Sequence, residues 1–321
     1  MKAARIKDGR IEWTEVEQSK ALDSHQVRIA ISHAGMNRAD LMQVAGAYPP
    51  PPGASDIPGL ECSGTILEVG ADVDAFNVGD KVCALLAAGG YAEQVVVDQQ
   101  QVLPLPKGWS PEQGAGWLET FATAFLNVFQ LARVKSHERV LIHAAAGGVG
   151  TSLIQLCKEK GIASVAVVGT DEKQQFCRKL GSHMTINRHH ERDWQQLDSE
   201  GVDVILNPIG GDSIARDQGF LNTEGRIILI GLMGGREGQV DFGRMLIKRQ
   251  RIIGSTLRAL SAERKGSILR ELWDEFGAAF SAKRITPILD RVVAAKDVNE
   301  AMDYVRENRT FGKVILDMQE N

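Results

Sequence analysis

Apolar positions in the middle of the chain come in short continuous runs, separated by charged stretches with helical spacing. Arg139-Val-Leu-Ile-His-Ala-Ala-Ala-Gly-Gly-Val-Gly150 is such a run, ending in a glycine cluster, and residues 151–160 then read as a helix. Residues 164–170 form a β-branched run. Residues 171–180 form a charged amphipathic helix stopped by Gly181, and 183–187 a third, shorter strand. Segments 202–207, 225–231 and 251–257 bring the series to six. Strands alternating with helices at this spacing predict right-handed crossovers and a parallel sheet covered on both faces. Residues from about 138 to 257 therefore read as a complete doubly wound α/β domain.

The first 115 or so residues have a different texture. Short strand-like segments at 27–32, 64–69, 81–86 and 91–97 are separated by turn residues such as Asn77-Val-Gly-Asp80 and Gly89-Gly90. They predict a β-rich domain around a partly closed, barrel-like sheet. Tyr48-Pro-Pro-Pro-Pro-Gly53 is a stiff segment that cannot join a central strand. The tail beyond about residue 283 returns to extended patterns, ending in Gly312-Lys-Val-Ile-Leu-Asp317, and is expected to complete the first domain. The reading is a β-rich domain over 1–118 completed by 265–321, and a dinucleotide-binding domain over 119–264. The cleft between two such domains is where cofactor and substrate are expected.

Composition narrows the class. A chain of 321 residues exceeds what one core usually organises. A net charge of −4 makes no electrostatic case for nucleic acid or an anionic membrane. The small basic cluster Lys248-Arg-Gln-Arg251 reads as a charged loop before a strand. No apolar stretch reaches the roughly 20 residues that span a bilayer. Met1-Lys-Ala-Ala-Arg-Ile6 starts in a strand-like segment and is no signal peptide. Cys62, Cys83, Cys157 and Cys177 form no C-x-x-C, which suits free thiols in a cytoplasmic protein. His183, His189 and His190 fit no standard metal-ligand spacing and read as surface histidines.

The chemistry starts at the glycine cluster. A strand, a tight glycine turn and a helix N-terminus make an anion cradle, in which amide N–H groups and the positive end of the helix dipole face a pyrophosphate. Gly147 and Gly148 let the backbone approach phosphates, and Gly150 lets the helix pack close to the strand. Ala145 stands where G-x-G-x-x-G has its first glycine.

Taken in order, several motifs carry a resemblance across the whole chain: Ala34-Gly-Met-Asn-Arg-Ala-Asp40, Gly46-Ala-Tyr-Pro-Pro-Pro-Pro-Gly-Ala-Ser55, Pro58-Gly-Leu-Glu-Cys-Ser-Gly64, Val78-Gly-Asp-Lys-Val82, Gly89-Gly-Tyr-Ala-Glu93, Ala144-Ala-Ala-Gly-Gly-Val-Gly150, Gly231-Leu-Met-Gly-Gly235 and Gly312-Lys313. The chain resembles the zinc-independent quinone oxidoreductases of the medium-chain dehydrogenase/reductase superfamily. Within them it resembles the group of zeta-crystallin and, nearer still, the tumour-suppressor-induced quinone oxidoreductase. The resemblance implies a GroES-like β-rich domain beside a Rossmann domain. Zinc alcohol dehydrogenases of the superfamily carry a cysteine at the position of Asn37, a histidine at that of Leu60, and often a four-cysteine lobe. With an amide and a leucine at those positions, no catalytic zinc site is expected. A quinone or an enal is already electrophilic. It needs positioning beside a nicotinamide and a hydrogen bond where charge develops, not a Lewis acid.

The resemblance also implies roles for residues. Cofactor contacts are expected from Asn37, Thr123, Ala146, Gly147, Gly148, Val149, Gly231, Leu232, Met233, Gly312 and Lys313. NAD enzymes place a ribose-gripping carboxylate at the end of the second Rossmann strand. That position is Val168 here, followed by Gly169, Thr170 and Lys173, which leaves room and charge for the 2′-phosphate of NADPH. Asp171 lies next to this site and counts against that reading. Arg188 replaces a common tyrosine; it can stack on adenine and meet the 2′-phosphate, or be a surface arginine. Asn207 replaces a frequent aspartate. Tyr48, Asn37 and Asp40 are the candidate catalytic residues. Tyr48 is a phenol able to bond the substrate oxygen, and Asp40 is better suited to ordering its loop than to acting as a base. The expected function is hydride transfer from NADPH to a quinone. Two alternatives stand beside it: reduction of a 2-alkenal or enone, and a non-enzymatic NADPH-binding structural or regulatory role of the crystallin kind. The exposed edge at 251–257 predicts a homodimer.

Overall fold

A computed structural model describes residues 1–17, 21–197 and 200–319. It divides into two compact units: Met1–Ala122 with Leu257–Asn321, and Thr123–Thr256.

The first unit begins with the hairpin β1 (Lys2–Lys7) and β2 (Arg10–Glu15). Its main sheet contains β3 (Gln26–Gly35), β4 (Glu61–Val69), β5 (Lys81–Leu85), β6 (Gln94–Asp98) and β7 (Val102–Pro104). The second unit follows with β8 (Arg139–Ile142), β9 (Ala163–Val168), β10 (Met184–Asn187), β11 (Val202–Asn207), β12 (Leu221–Leu229) and β13 (Arg251–Gly254). The chain then returns to the first unit with β14 (Leu289–Ala294) and β15 (Lys313–Asp317).

The main sheet of the first unit runs β14-β15-β3-β4-β5-β7, with β6 also pairing β3. The tail strand β15 lies antiparallel to β3, with Ile315 opposite Gly35. The alternating pattern Val27, Ile29, Ile31 faces a core that also holds Ile66, Val82, Val95, Leu316 and Met318. β6 starts at Gln94, three residues later than the apolar run suggests. Tyr91 belongs to a loop pairing instead: its N–H donates to Pro58 O at 2.9 Å and its phenol to Asp40 at 3.0 Å. The proline segment after Tyr48 enters no strand. The helix Ala262–Ser281 packs Trp273 and Phe280 against Trp117, with Trp109 and Phe121 completing an aromatic cluster.

The second unit is a six-stranded parallel sheet in the order β10-β9-β8-β11-β12-β13, the doubly wound arrangement with β13 at one edge. Strands β8 to β11 are buried over almost their whole length, as expected of a sheet covered on both faces, whereas the edge strand β13 has no buried residue. The helix Asp171–Leu180 shows why the local pattern was readable. Thr170 caps it by accepting from Lys173 N at 3.2 Å, and acids fill its first turn. Bases fill its last turn, and Gly181 ends it at φ 120°. β13 ends at Gly254, short of the predicted residue 257. Among the described residues, no helix is long and apolar enough to cross a membrane.

Candidate active site

In the second unit, the loops that leave the carboxyl ends of the strands carry the candidate cofactor residues. After β8 the chain turns through Ala144 at φ 51° and reaches Gly147, the N-cap of the helix Gly148–Glu159. No side chain caps that helix, so its first-turn amides are suited to an anion. Gly150 is dictated by packing: a Cβ there would sit 2.5 Å from Ala145 Cα. Ala145 and Ala146 are buried beneath the turn, while Gly147, Gly148 and Val149 remain partly exposed. The missing first glycine is thus replaced by a small residue that the core accepts.

At the end of β9 the structure gathers Gly169, Thr170, Lys173 and Arg188. The Arg188 guanidinium lies against Gly169, so that a Cβ on this glycine would fall 2.4 Å from Nη1 and 2.8 Å from Cζ. Asp171 is turned aside. Its Oδ1 accepts from Asn187 Nδ2 at 2.8 Å, and His190 Nδ1 lies 3.7 Å away. Val168, the last residue of β9, is apolar and buried, so no carboxylate stands at the end of this strand.

The loops after β11 and β12 lie together. Gly210 and Gly235 form a bridge, Met233 N donates to Pro208 O at 3.1 Å, and Gly234 N to Ile209 O at 2.7 Å. A Cβ on Gly231 would meet Pro208 O at 2.9 Å. This packing presents Leu232 and Met233 to solvent, 40% and 42% exposed. Asn207 now has a physical account. Its Oδ1 accepts from Ile209 N and Gly210 N, and its Nδ2 donates to Asp217 Oδ2 at 2.6 Å and to Ser213 Oγ at 2.9 Å. An aspartate there would set two carboxylates against each other, because Asp217 is buried and already bonded to His143. Thr123 stands near the end of the helix Leu118–Ala124. Its carbonyl accepts from Asn127 Nδ2 at 2.7 Å, within the π-helical turn Phe125–Leu131.

The first unit holds its polar groups in a buried network. Lys313 Nζ, on β15, donates to Glu61 Oε1 at 2.6 Å, Met36 O at 2.7 Å and Asn37 Oδ1 at 2.8 Å. Asn37 Nδ2 donates to Glu61 Oε1 at 3.0 Å and to Gly35 O at 3.2 Å. Asp40 accepts from Asn37 N at 2.7 Å, Gly59 N at 3.1 Å and the Tyr91 hydroxyl at 3.0 Å. Burial pushes the Asp40 carboxyl up to about 6, against the opposing pull of the Asn37 amide, Lys313 and Tyr91. Burial likewise pushes the Tyr91 phenol well above its ordinary range. Lys313 was expected to face the cofactor. Instead the structure directs its ammonium at three acceptors inside the unit, so it positions Asn37 and Glu61. Gly312 supplies the turn before it at φ 89°, where a Cβ would lie 2.2 Å from Ile288 O.

Tyr48 is separate from that network and partly buried. Arg258 lies 5.1 Å from its ring centroid and donates to Tyr48 O at 3.1 Å, to Ala87 O at 2.7 Å and to the Gln43 amide oxygen. Burial raises the Tyr48 phenol above its ordinary value, with Arg258 opposing, so it stays a proton donor at neutral pH. Sequence reasoning missed Glu61, Tyr91 and Arg258 as site-building residues. Glu61 was visible only as part of a motif, and Arg258 carries no local signal.

Asn37 and Leu60 occupy the positions where zinc relatives place ligands, and Leu60 is buried. Among the described residues, no group of three or more His, Cys, Asp or Glu is placed to hold a metal ion. All four cysteines are free, buried and pushed up by burial. The basic cluster is committed to structure: Lys248 Nζ donates to Leu221 O, Arg249 pairs with Glu224, and Gln250 is buried against Gln218.

Residues 23–107 match the family described as alcohol dehydrogenase GroES-like domain, and 148–276 that described as zinc-binding dehydrogenase. Quinone oxidoreductase-like protein 2 of Bos taurus is 28% identical over 312 residues, covering 94% of this chain and 87% of its own. The synaptic vesicle membrane protein VAT-1 homolog of Danio rerio is 30% identical, covering 94% and 66%. The crystal structure of a quinone oxidoreductase from Pseudomonas syringae superposes with a TM-score of 0.86 at 26% identity, covering 98% of this chain and 99% of that one. The chain belongs to the zinc-independent quinone oxidoreductase family of the medium-chain dehydrogenases/reductases. It is accordingly an oxidoreductase with a nicotinamide cofactor.

Proposed function

We propose that this enzyme is an NADPH-dependent reductase of quinones. The observation that carries the reading is the end of β9, where no carboxylate stands. Arg188 lies against Gly169 beside Thr170 and Lys173, and Asp171 is held away by Asn187. A 2′-phosphate meets donors and positive charge there, where an NAD site would have an anion. The glycine turn at 146–149 takes the pyrophosphate, and Leu232 and Met233 give an apolar wall for the nicotinamide. The bound dinucleotide supplies the hydride. Tyr48 then donates its hydroxyl to the oxygen on which negative charge develops, and Arg258 fixes the ring. Asn37 and Asp40 order the loop that carries them, and Asp40 works as an acceptor of three bonds, not as a base. NADPH oxidation assayed against ortho-quinones, para-quinones and 2-alkenals, with NADH in parallel, tests this. Fast quinone reduction with NADPH is expected; a clear preference for NADH or for alkenals overturns it.

The reading includes a homodimer in the cytoplasm. β13 offers an open edge, and the neighbouring helix Phe242–Lys248 exposes Phe242, Leu246 and Ile247 at 70%, 78% and 81%. A second copy covering this apolar surface is the simplest occupant. Sedimentation at micromolar concentration should show the dimer, and a monomer there refutes it. Four buried thiols suit a reducing compartment.

A further inference from the structure

Arg258 is buried among neutral partners. It stands on the stretch between β13 and the helix Ala262–Ser281 and is 3% exposed. Its Nε donates to Ala87 O at 2.7 Å, its Nη1 to Tyr48 O at 3.1 Å, and its Nη2 to Gln43 Oε1. The Gln43 amide is fixed in that orientation, because its Nε2 donates to Asp56 O at 2.9 Å. The nearby acids are engaged elsewhere. Asp40 accepts from Asn37 N, Gly59 N and the Tyr91 hydroxyl, and Glu61 accepts from Lys313. Among the described residues, no carboxylate forms an ion pair with Arg258.

An arginine keeps its proton when buried, so it cannot escape desolvation by becoming neutral. A buried guanidinium with only neutral acceptors therefore weighs on the stability of the unit, and an anion placed beside it offsets that cost. The geometry says where the anion belongs. The guanidinium carbon lies 5.1 Å from the centroid of the Tyr48 ring, and the same group holds the Tyr48 carbonyl. A lysine would carry the charge, but its compact ammonium lacks the planar fork that spans Gln43, Tyr48 and Ala87.

We infer that Arg258 makes the surroundings of Tyr48 a subsite for phenolate and enolate oxygens, its charge serving as counter-ion to the anion that the reduced acceptor becomes. The inference deepens the quinone-reductase reading and rests on it. Hydride transfer oxidises the dinucleotide and converts an uncharged quinone into the hydroquinone monoanion, so the acceptor gains one negative charge. A cation fixed beforehand needs no reorganisation as that charge appears, and it favours the reduced form over the oxidised one. Arg258 makes and breaks no covalent bond. It acts across the Tyr48 ring, whose hydroxyl meets the oxygen, and is a positioning residue. The electrostatics of the pair agree: burial raises the Tyr48 phenol with Arg258 opposing, and burial lowers Arg258 with Asp40, Tyr48 and Glu119 opposing.

The test uses the full protein with saturating NADP+, titration calorimetry at neutral pH and two probes. One is 2,4-dinitrophenol, a phenolate under these conditions; the other is its uncharged analogue 1,3-dinitrobenzene. The wild type should bind the phenolate about tenfold more tightly or better. Arg258→Gln should erase that preference and leave affinity for the uncharged probe nearly unchanged. Arg258→Lys, which keeps the charge without the fork, should retain a measurable part of it. With NADPH and 1,4-benzoquinone, Arg258→Gln should lower kcat about tenfold to a hundredfold and change KM little. A wild type without the preference overturns the inference whatever the variants do. So does a preference that survives in Arg258→Gln, or one lost equally in Arg258→Lys, which would mark geometry and not charge. Quinone reduction without the preference overturns the subsite alone. An Arg258-dependent preference in a protein that reduces no quinone overturns the functional reading and leaves the subsite standing.

Discussion

The Thr123–Thr256 unit and the unit that encloses it in sequence prepare for ligands by opposite means. In the former, the candidate contacts are backbone amides of a glycine turn and side chains near solvent: Thr170, Lys173, Arg188, Leu232 and Met233. In the latter they rest on a buried network of Asn37, Asp40, Glu61, Tyr91 and Lys313, in which nearly every donor already has an acceptor. The first arrangement costs little stability and can be retuned one side chain at a time. The second makes binding geometry and folding stability the same property, so its members should tolerate substitution poorly.

The largest effect should therefore come from the buried network. Lys313→Met leaves the Glu61 carboxylate buried without its cation, and should cost about 3–5 kcal/mol in chemical denaturation. A cost below about 1 kcal/mol, as for a surface pair, would erase the contrast between the units. Next in size come the candidate cofactor residues near solvent. Lys173→Ala and Arg188→Ala should each weaken NADPH by roughly 1.5–3 kcal/mol, as expected for a charge-assisted bond to phosphate. Neither should change NADH affinity or the denaturation midpoint. Equal loss for both dinucleotides, measured by fluorescence titration, would show that these side chains do not read the 2′-phosphate. Tyr48→Phe should then slow quinone turnover by about tenfold to a hundredfold, with NADPH binding intact. Unchanged kinetics would reduce Tyr48 to a wall of its proline loop. The smallest effect is expected from chelation. Prolonged treatment should leave activity where it was, because Asn37 and Leu60 stand in the ligand positions. One equivalent of zinc required for turnover would reverse the chemistry proposed above.

The same contrast explains what could be read in the chain and what could not. The Rossmann strands, the glycine turn and the helix Asp171–Leu180 announce themselves because their signals are local: runs, caps and glycines within ten or twenty residues of one another. The candidate residues at the end of β9 come from two neighbouring strands and were found the same way. Glu61 and Lys313, in contrast, are some 250 positions apart. Only the antiparallel pairings of β15 with β3 and of β3 with β4 bring them to bonding distance. No periodicity records that meeting, and so the pairing of Lys313 with Glu61 could not be read from the chain. Arg258 was invisible for the same reason, since its three acceptors are at Gln43, Tyr48 and Ala87. The π-helical turn at 125–131 likewise has no sequence signature beyond that of an ordinary helix.

The position of Lys313, beyond the whole Thr123–Thr256 unit, sets an order of events at the ribosome. When residues 1–122 have emerged, Glu61 is present but its ammonium, the strand beside β3 and the guanidinium under Tyr48 are not yet made. The Thr123–Thr256 unit, whose six strands are contiguous in sequence, can close first. The amino-terminal part must wait, with an unmatched carboxylate and an unpaired strand edge, until β15 and Lys313 are made. The unit that comes earlier in the sequence is thus the one whose closure depends on residues written after the other.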